Sequence, residues 1–184
     1  CEMCIRDRCE TWEGHCHAQP LPGYTFVGKP RGAGRGGGVG AYISRVLSPL
    51  VRAHVNTQLP EALWLEIGGS SAAARPVFVG VVYLPPASVT GATAAAATYA
   101  TLQADIASFQ ARGDVVVLGD LNSRVGSASP GQVDARIGAW GEAGAPDAGG
   151  VALLAMLEAT NMYALNGREP APRGVPAYTR MRLV

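Results

Sequence analysis

A chain of 184 residues, 48% of them hydrophobic and only 16% charged, carries enough apolar side chains to bury the core of one domain, which excludes wholesale disorder. Its formal net charge of +1 excludes a uniformly basic nucleic-acid coat and leaves room for a local basic groove. No run of about 18 apolar residues marks a membrane span, and no basic stretch followed by an apolar one reads as a secretory signal.

The chain opens on Cys1 rather than Met and stops at Arg182-Leu183-Val184, inside a segment with strand character, so both ends read as truncated. Met3-Cys4-Ile5-Arg6-Asp7-Arg8 resembles the translation of a sequencing adapter. Residues 1–8 are therefore set aside as extraneous, and residues 9–184 are read as one partial domain. Leu21 to Gly23 is a turn and Tyr24 to Val27 a short strand. Lys29 to Gly38 is a glycine-rich loop, and Val39 to Val46 alternates as a strand does. Ala62 to Ile67 is another strand. Pro76 to Tyr83 and Val115 to Leu118 are nearly continuous apolar runs, the signature of strands covered on both faces. Thr93 to Gln110 has helical spacing, with Tyr99, Leu102, Ile106 and Phe109 on one face and Gly113 as its stop. Residues 126–150, rich in Gly, Ala and Pro, form a long loop. Gly150 to Thr160 is a helix with Leu153, Leu154 and Leu157 inward, and Met162 to Leu165 a short strand.

Three motifs mislead. Gly32-Ala33-Gly34-Arg35-Gly36-Gly37 satisfies the dinucleotide-binding glycine spacing, but Lys29-Pro30 precedes it and a strand follows, so no helix N-terminus is there to hold a pyrophosphate. Gly23 to Lys29 nearly fits a P-loop, but Pro30 stands where Ser or Thr would hold magnesium. Cys1, Cys4, Cys9, Cys16, His15 and His17 resemble a zinc cluster, yet two of the thiols fall in the segment set aside, and reduced intracellular thiols are the simpler reading.

Four other features line up in chain order. They are Glu10-Thr11-Trp12, the stretch Gly34 to Val39, Val82-Tyr83-Leu84-Pro85-Pro86, and Gly119-Asp120-Leu121-Asn122-Ser123-Arg124-Val125-Gly126. Gly138-Ala139-Trp140-Gly141, Asp147 to Gly150 and Leu165-Asn166 follow. Together they resemble the endonuclease/exonuclease/phosphatase superfamily, in particular the endonuclease domain of non-LTR (LINE-type) retrotransposons. The resemblance covers essentially everything from residue 9 onward. It implies an α/β fold, a four-layer α/β/β/α sandwich of two mixed β-sheets flanked by helices, here incomplete.

The resemblance also implies a chemistry: divalent-metal-dependent phosphodiester hydrolysis that nicks DNA. Water must attack a phosphodiester in line while negative charge grows on its oxygens, so positioning and electrostatic stabilisation carry the reaction. Hard divalent cations prefer carboxylate oxygen, and Glu10 matches the glutamate that binds Mg2+ (or Mn2+). Asp120 matches the aspartate that orients or deprotonates the attacking water, and Asn122 and Tyr83 match residues that contact the scissile phosphate. Arg35 and Arg124 are candidate DNA-backbone contacts. Asn166 matches a recurrent asparagine read as a structural turn. A reverse transcriptase is implied downstream in the same polyprotein, with an intracellular location, nuclear if the host is eukaryotic, and no membrane partner.

Two family features have no match in the sequence: the opening strand with its asparagine, and the closing Ser-Asp-His. Arg180 stands where the Tyr178-Thr179 step is usually followed by tryptophan. The chain is therefore expected to be inactive alone. Two alternatives remain open: a phosphatase or phosphodiesterase of the same superfamily acting on lipids or small phosphate esters, and a decayed, non-catalytic binding module.

Overall fold

The computed structural model describes residues 20–31, 38–54, 57–68, 74–126, 136–138 and 144–165, together with the backbone of residues 5–9. Strands β1 (Ile5–Cys9), β2 (Tyr24–Lys29) and β3 (Val39–Ser44) form one sheet with β3 in the middle. A 3-10 turn at Ser48–Leu50 leads into β4 (Val51–His54), and β4, β5 (Ala62–Ile67), β6 (Val77–Tyr83) and β7 (Asp114–Asp120) form the second sheet in that order. The helices are α1 (Ala87–Thr90), α2 (Ala92–Gln110) and α3 (Ala148–Thr160). The class is mixed α/β with two sheets and helices. No described helix is long and apolar enough to cross a membrane.

The chain divides into two compact units, Cys1–Tyr83 with Ser108–Gly119, and Leu84–Ala107 with Asp120–Val184. The first is built on strand alternation. Leu63 and Leu65 of β5 and Val79 and Val81 of β6 point to one side, where they share a core cluster with Val39, Ala41 and Ile43 of β3. The even-numbered neighbours Trp64 and Phe78 are also fully buried, on the opposite side of their strands. There Phe109, from the last turn of α2, stacks on Trp64 at 4.6 Å and on Phe78 at 4.7 Å. Burial on both faces is why Val77–Tyr83 reads as an unbroken apolar run. Burial of Trp64, Phe78, Leu63 and Leu65 contributes roughly 1.5–3 kcal/mol for each side chain.

Register is fixed by antiparallel ladders. Val39 pairs with both Cys9 and Lys29, and Ala62 pairs with Val82. Two mixed sheets were expected; in the three-stranded sheet, both described ladders are antiparallel. Ile5–Cys9, which lies mostly in the segment set aside as extraneous, is paired with β3 from Ile5↔Ile43 to Cys9↔Val39. The expected strand at Met162 to Leu165 reduces to a single bridge at Ala164, whose N–H donates to the Arg136 carbonyl at 2.8 Å.

In the second unit the predicted α2 face is inward: Tyr99, Leu102 and Ile106 are all buried. Helix α3 starts two residues earlier than the expected Gly150, because Asp147 caps it, its Oδ1 accepting the Gly150 N–H at 2.7 Å. Leu153 and Leu157 face inward as expected, Met156 joins them, and Leu154 is half-buried.

On the first unit, Glu66 of β5 is held by His54 and Arg112. His54 Nε2 lies 2.7 Å and an Arg112 guanidinium nitrogen 3.0 Å from Glu66 Oε2, and Arg112 also sits 4.8 Å over the Phe78 ring. The His54 hydrogen bond, more than the attraction of Arg112 and Arg52, holds the Glu66 carboxyl below the usual carboxylate range, against the opposing pull of burial. A depressed folded-state value means that the stabilisation is complete above the unfolded value, about pH 4, and is lost as pH falls through the folded one. Glu66→Gln is expected to cost about 0.5–1 kcal/mol near neutrality. That cost should shrink towards zero on acidification below about pH 4. Urea unfolding of both proteins across pH checks it, and a difference that grows in acid would overturn it.

Candidate active-site corner

Strand β7 ends at Asp120, and the next six residues are irregular but tightly tied within the second unit. Asp120 Oδ1 accepts the backbone N–H of Asn122 at 2.9 Å, an Asx turn. That turn carries Asn122 to φ +44°, a left-handed conformation asparagine tolerates better than most residues. Asn122 Nδ2 then donates to the Leu84 carbonyl at 3.0 Å, and the Leu84 N–H donates to the Asp120 carbonyl at 2.9 Å. Both polar backbone groups of Leu84 are therefore spent on the Asp-x-Asn step. One amide hydrogen of Asn122 is committed there, and its NH2 group has a second.

The residue between them is anchored from beneath. Leu121 is buried, and its carbonyl accepts from Tyr99 Oη at 3.2 Å and from Ser123 Oγ at 2.8 Å. Tyr99 Oη and Ser123 Oγ also bond each other at 2.7 Å. Burial drives the Tyr99 hydroxyl well above its usual value. The Ser123 bond pulls it the other way, and the negative charges of Asp147 and Asp120 push it further up. Tyr99 is thus a neutral hydroxyl throughout the physiological range and supports the corner as a strut rather than as a base. Beyond Ser123 the chain runs against the start of α3: the Asp147 N–H donates to the Arg124 carbonyl at 3.0 Å. A Cβ on Gly150 would stand 1.8 Å from that same oxygen, so only glycine fits there. Leu84, Pro85, Thr90, Tyr99, Ser123 and Gly149 line a small pocket on this unit.

The structure brings Asp120 and Asn122 together. Arg124 is exposed, two residues beyond Asn122. Tyr83 is the last residue of β6; its N–H donates to the Glu61 carbonyl at 3.0 Å, and its half-buried side chain packs against the core cluster of the first unit. Glu10, Arg35, Trp140 and Asn166 lie outside the described residues, as do Cys1, Cys4, His15, Cys16 and His17. Among the described residues no three His, Cys, Asp or Glu side chains are grouped as a metal site. Within the corner, the donor chemistry is one carboxylate beside a carboxamide, oxygen ligands that suit a hard divalent cation and not a thiophilic one.

Tyr99 and Ser123 are the supporting residues that sequence reasoning missed. Tyr99 reads as one more apolar-face residue of α2, and its only distinguishing mark is a hydroxyl on an otherwise hydrocarbon stripe.

No protein-family model matches the chain, and no curated protein matches its sequence. Solved structures do match. The chain is similar to an AP endonuclease, LMAP, from Leishmania major, with a TM-score of 0.73 and 11% identity over 98% of this chain and 69% of that one. It is also similar to the endonuclease domain of TRAS1, a telomere-specific non-LTR retrotransposon, with a TM-score of 0.54 and 16% identity over 89% of this chain and 67% of that one. The chain therefore shares the fold of these endonucleases.

Proposed function

We propose that this chain is the greater part of a divalent-metal-dependent DNA endonuclease of the retrotransposon type, arranged as a four-layer α/β/β/α sandwich, which nicks a DNA strand by phosphodiester hydrolysis. The observation that carries this reading is the Asp120–Asn122 corner, rigidly tied to Leu84 at the end of an apolar strand, in a chain that shares its fold with two endonucleases. Asp120 orients the attacking water and takes its proton. Asn122 and Tyr83 contact the scissile phosphate, and Arg35 and Arg124 hold the flanking backbone. Glu10 supplies carboxylate oxygen to Mg2+ or Mn2+, and the bound cation supplies Lewis-acid stabilisation of the charge that develops on phosphorus oxygens. A reverse transcriptase domain in the same polyprotein, acting inside the cell, completes the assignment.

The test is supercoiled plasmid incubated with a longer polypeptide that adds the family's opening strand and its closing Ser-Asp-His segment. Nicked circles should accumulate with Mg2+, stop on chelation and resume when the cation is restored. No nicking across a range of Mg2+ and Mn2+ concentrations would overturn the proposal.

A further inference from the structure

Lys29, Arg31 and Glu61 gather in the first unit where β2 ends. Glu61 is only 7% exposed, unusual for a carboxylate. Its Oε1 accepts the backbone N–H of Gly38 at 3.0 Å, its Oε2 accepts from the Arg31 guanidinium, and its carbonyl accepts the N–H of Tyr83. A single residue thus binds Arg31, Gly38 and the end of β6. The Arg31 side chain nevertheless remains 33% exposed. Beside it Lys29, the only lysine of the chain, donates to Thr57 Oγ1 at 3.1 Å and to the carbonyls of Leu59 and Ala62 at 2.7 and 3.1 Å. Those three acceptors are neutral. Lys29 is therefore fixed as a structural cation and is not built to reach out to a nucleotide phosphate as a P-loop lysine does.

A buried carboxylate is tolerated only when its oxygens are well bonded, and here each has a partner on a different backbone segment. The guanidinium gains from the same arrangement. Its five donors lie in one plane, so a bond from one guanidinium nitrogen to an immobile acceptor restricts where that plane can lie. Such an arginine loses less rotamer freedom on gripping a phosphate than a solvated one does. In a chain whose net charge is only +1, placed cations of this kind matter more to DNA affinity than a general field.

We propose that Arg31 is a DNA-phosphate contact and that Glu61 is its positioning residue. This rests on the endonuclease reading above and adds to it two residues that the sequence motifs do not mark. Titration of the 184-residue chain against a short labelled DNA duplex at several salt concentrations tests it. Arg31→Ala should weaken binding about tenfold at low salt and make the log–log salt slope shallower by about one. Glu61→Gln should move both in the same direction, and Glu61→Gln combined with Arg31→Ala should bind no more weakly than Arg31→Ala alone. Arg31→Lys should keep the slope. An unchanged slope in Arg31→Ala, or losses that add in the double variant, overturns the proposal. If Glu61→Gln does not fold, Arg31→Ala against Arg31→Lys decides alone. A wild-type chain with no salt-dependent DNA binding overturns the contact as well, whereas the endonuclease reading falls only if the longer polypeptide fails to nick plasmid.

Discussion

Asp120→Asn in the longer polypeptide of the plasmid test should lower the nicking rate by a factor on the order of 10²–10⁴ while leaving thermal stability almost unchanged. The substitution separates the turn bond of this side chain from the catalytic role proposed for it. The carboxamide of asparagine keeps an Oδ1 that accepts the Asn122 N–H, so the Asx turn and the left-handed Asn122 survive. What it removes is the negative charge and the proton-accepting oxygen. Asp120→Ala removes the turn bond as well and should lose a similar factor in rate, together with about 1 kcal/mol of stability. The rate loss should appear in kcat, since orienting water and taking its proton matter most as the bond forms. An Asp120→Asn enzyme that nicks plasmid at the wild-type rate would leave the corner as a turn and nothing more.

Part of this architecture is written in local pattern and part is not. Strand β5 was legible to its end residues, and β6 nearly so, the latter because burial on both faces leaves an uninterrupted apolar string. Helix α2 was legible because Tyr99, Leu102, Ile106 and Phe109 recur at helical spacing and are all buried. Strand β4 was not. Val-Arg-Ala-His carries no clean alternation, and its extended form comes from pairing with β5 at Val51↔Ile67 through His54↔Trp64. Helix α1 is a single turn after Pro85-Pro86, too short to leave a periodic trace.

The site divides in the same way. Asp120 and Asn122 stood out because their roles depend on two residues' separation along the chain, which sequence displays. Tyr99 and Glu61 act across 22 and 23 residues respectively, through bonds to the Leu121 carbonyl and the Gly38 N–H. No local pattern encodes a contact at that range, so a buried hydroxyl and a buried carboxylate pass for a core residue and a surface one. Long-range polar bonds are where sequence reasoning runs out first.

Gly119→Ala should cost roughly 3–5 kcal/mol, among the largest effects expected of a one-carbon change. The residue lies within β7 at φ +129°, a conformation L side chains rarely adopt, and a Cβ built on it would stand 2.0 Å from the Val82 carbonyl oxygen. Strain alone is worth about 1–3 kcal/mol. The collision adds to it because the obstacle is backbone of a neighbouring strand, which cannot rotate away as a side-chain tip can. Gly91 separates the two contributions. It also has positive φ, +89°, but nothing lies within 4 Å of its would-be Cβ, so Gly91→Ala should show strain without collision, about 1 kcal/mol. For a domain of this size, each kcal/mol moves the unfolding midpoint by about 2–4 °C, so thermal unfolding should place the Gly119 variant at least about 4 °C below the Gly91 one. Because Gly119 immediately precedes Asp120, the same variant should also lose nicking activity beyond what its unfolded fraction explains. Equal midpoints for the two alanine variants would mean that β7 can retreat from Val82, and that the chain direction delivering Asp120 is less rigidly set than this packing implies.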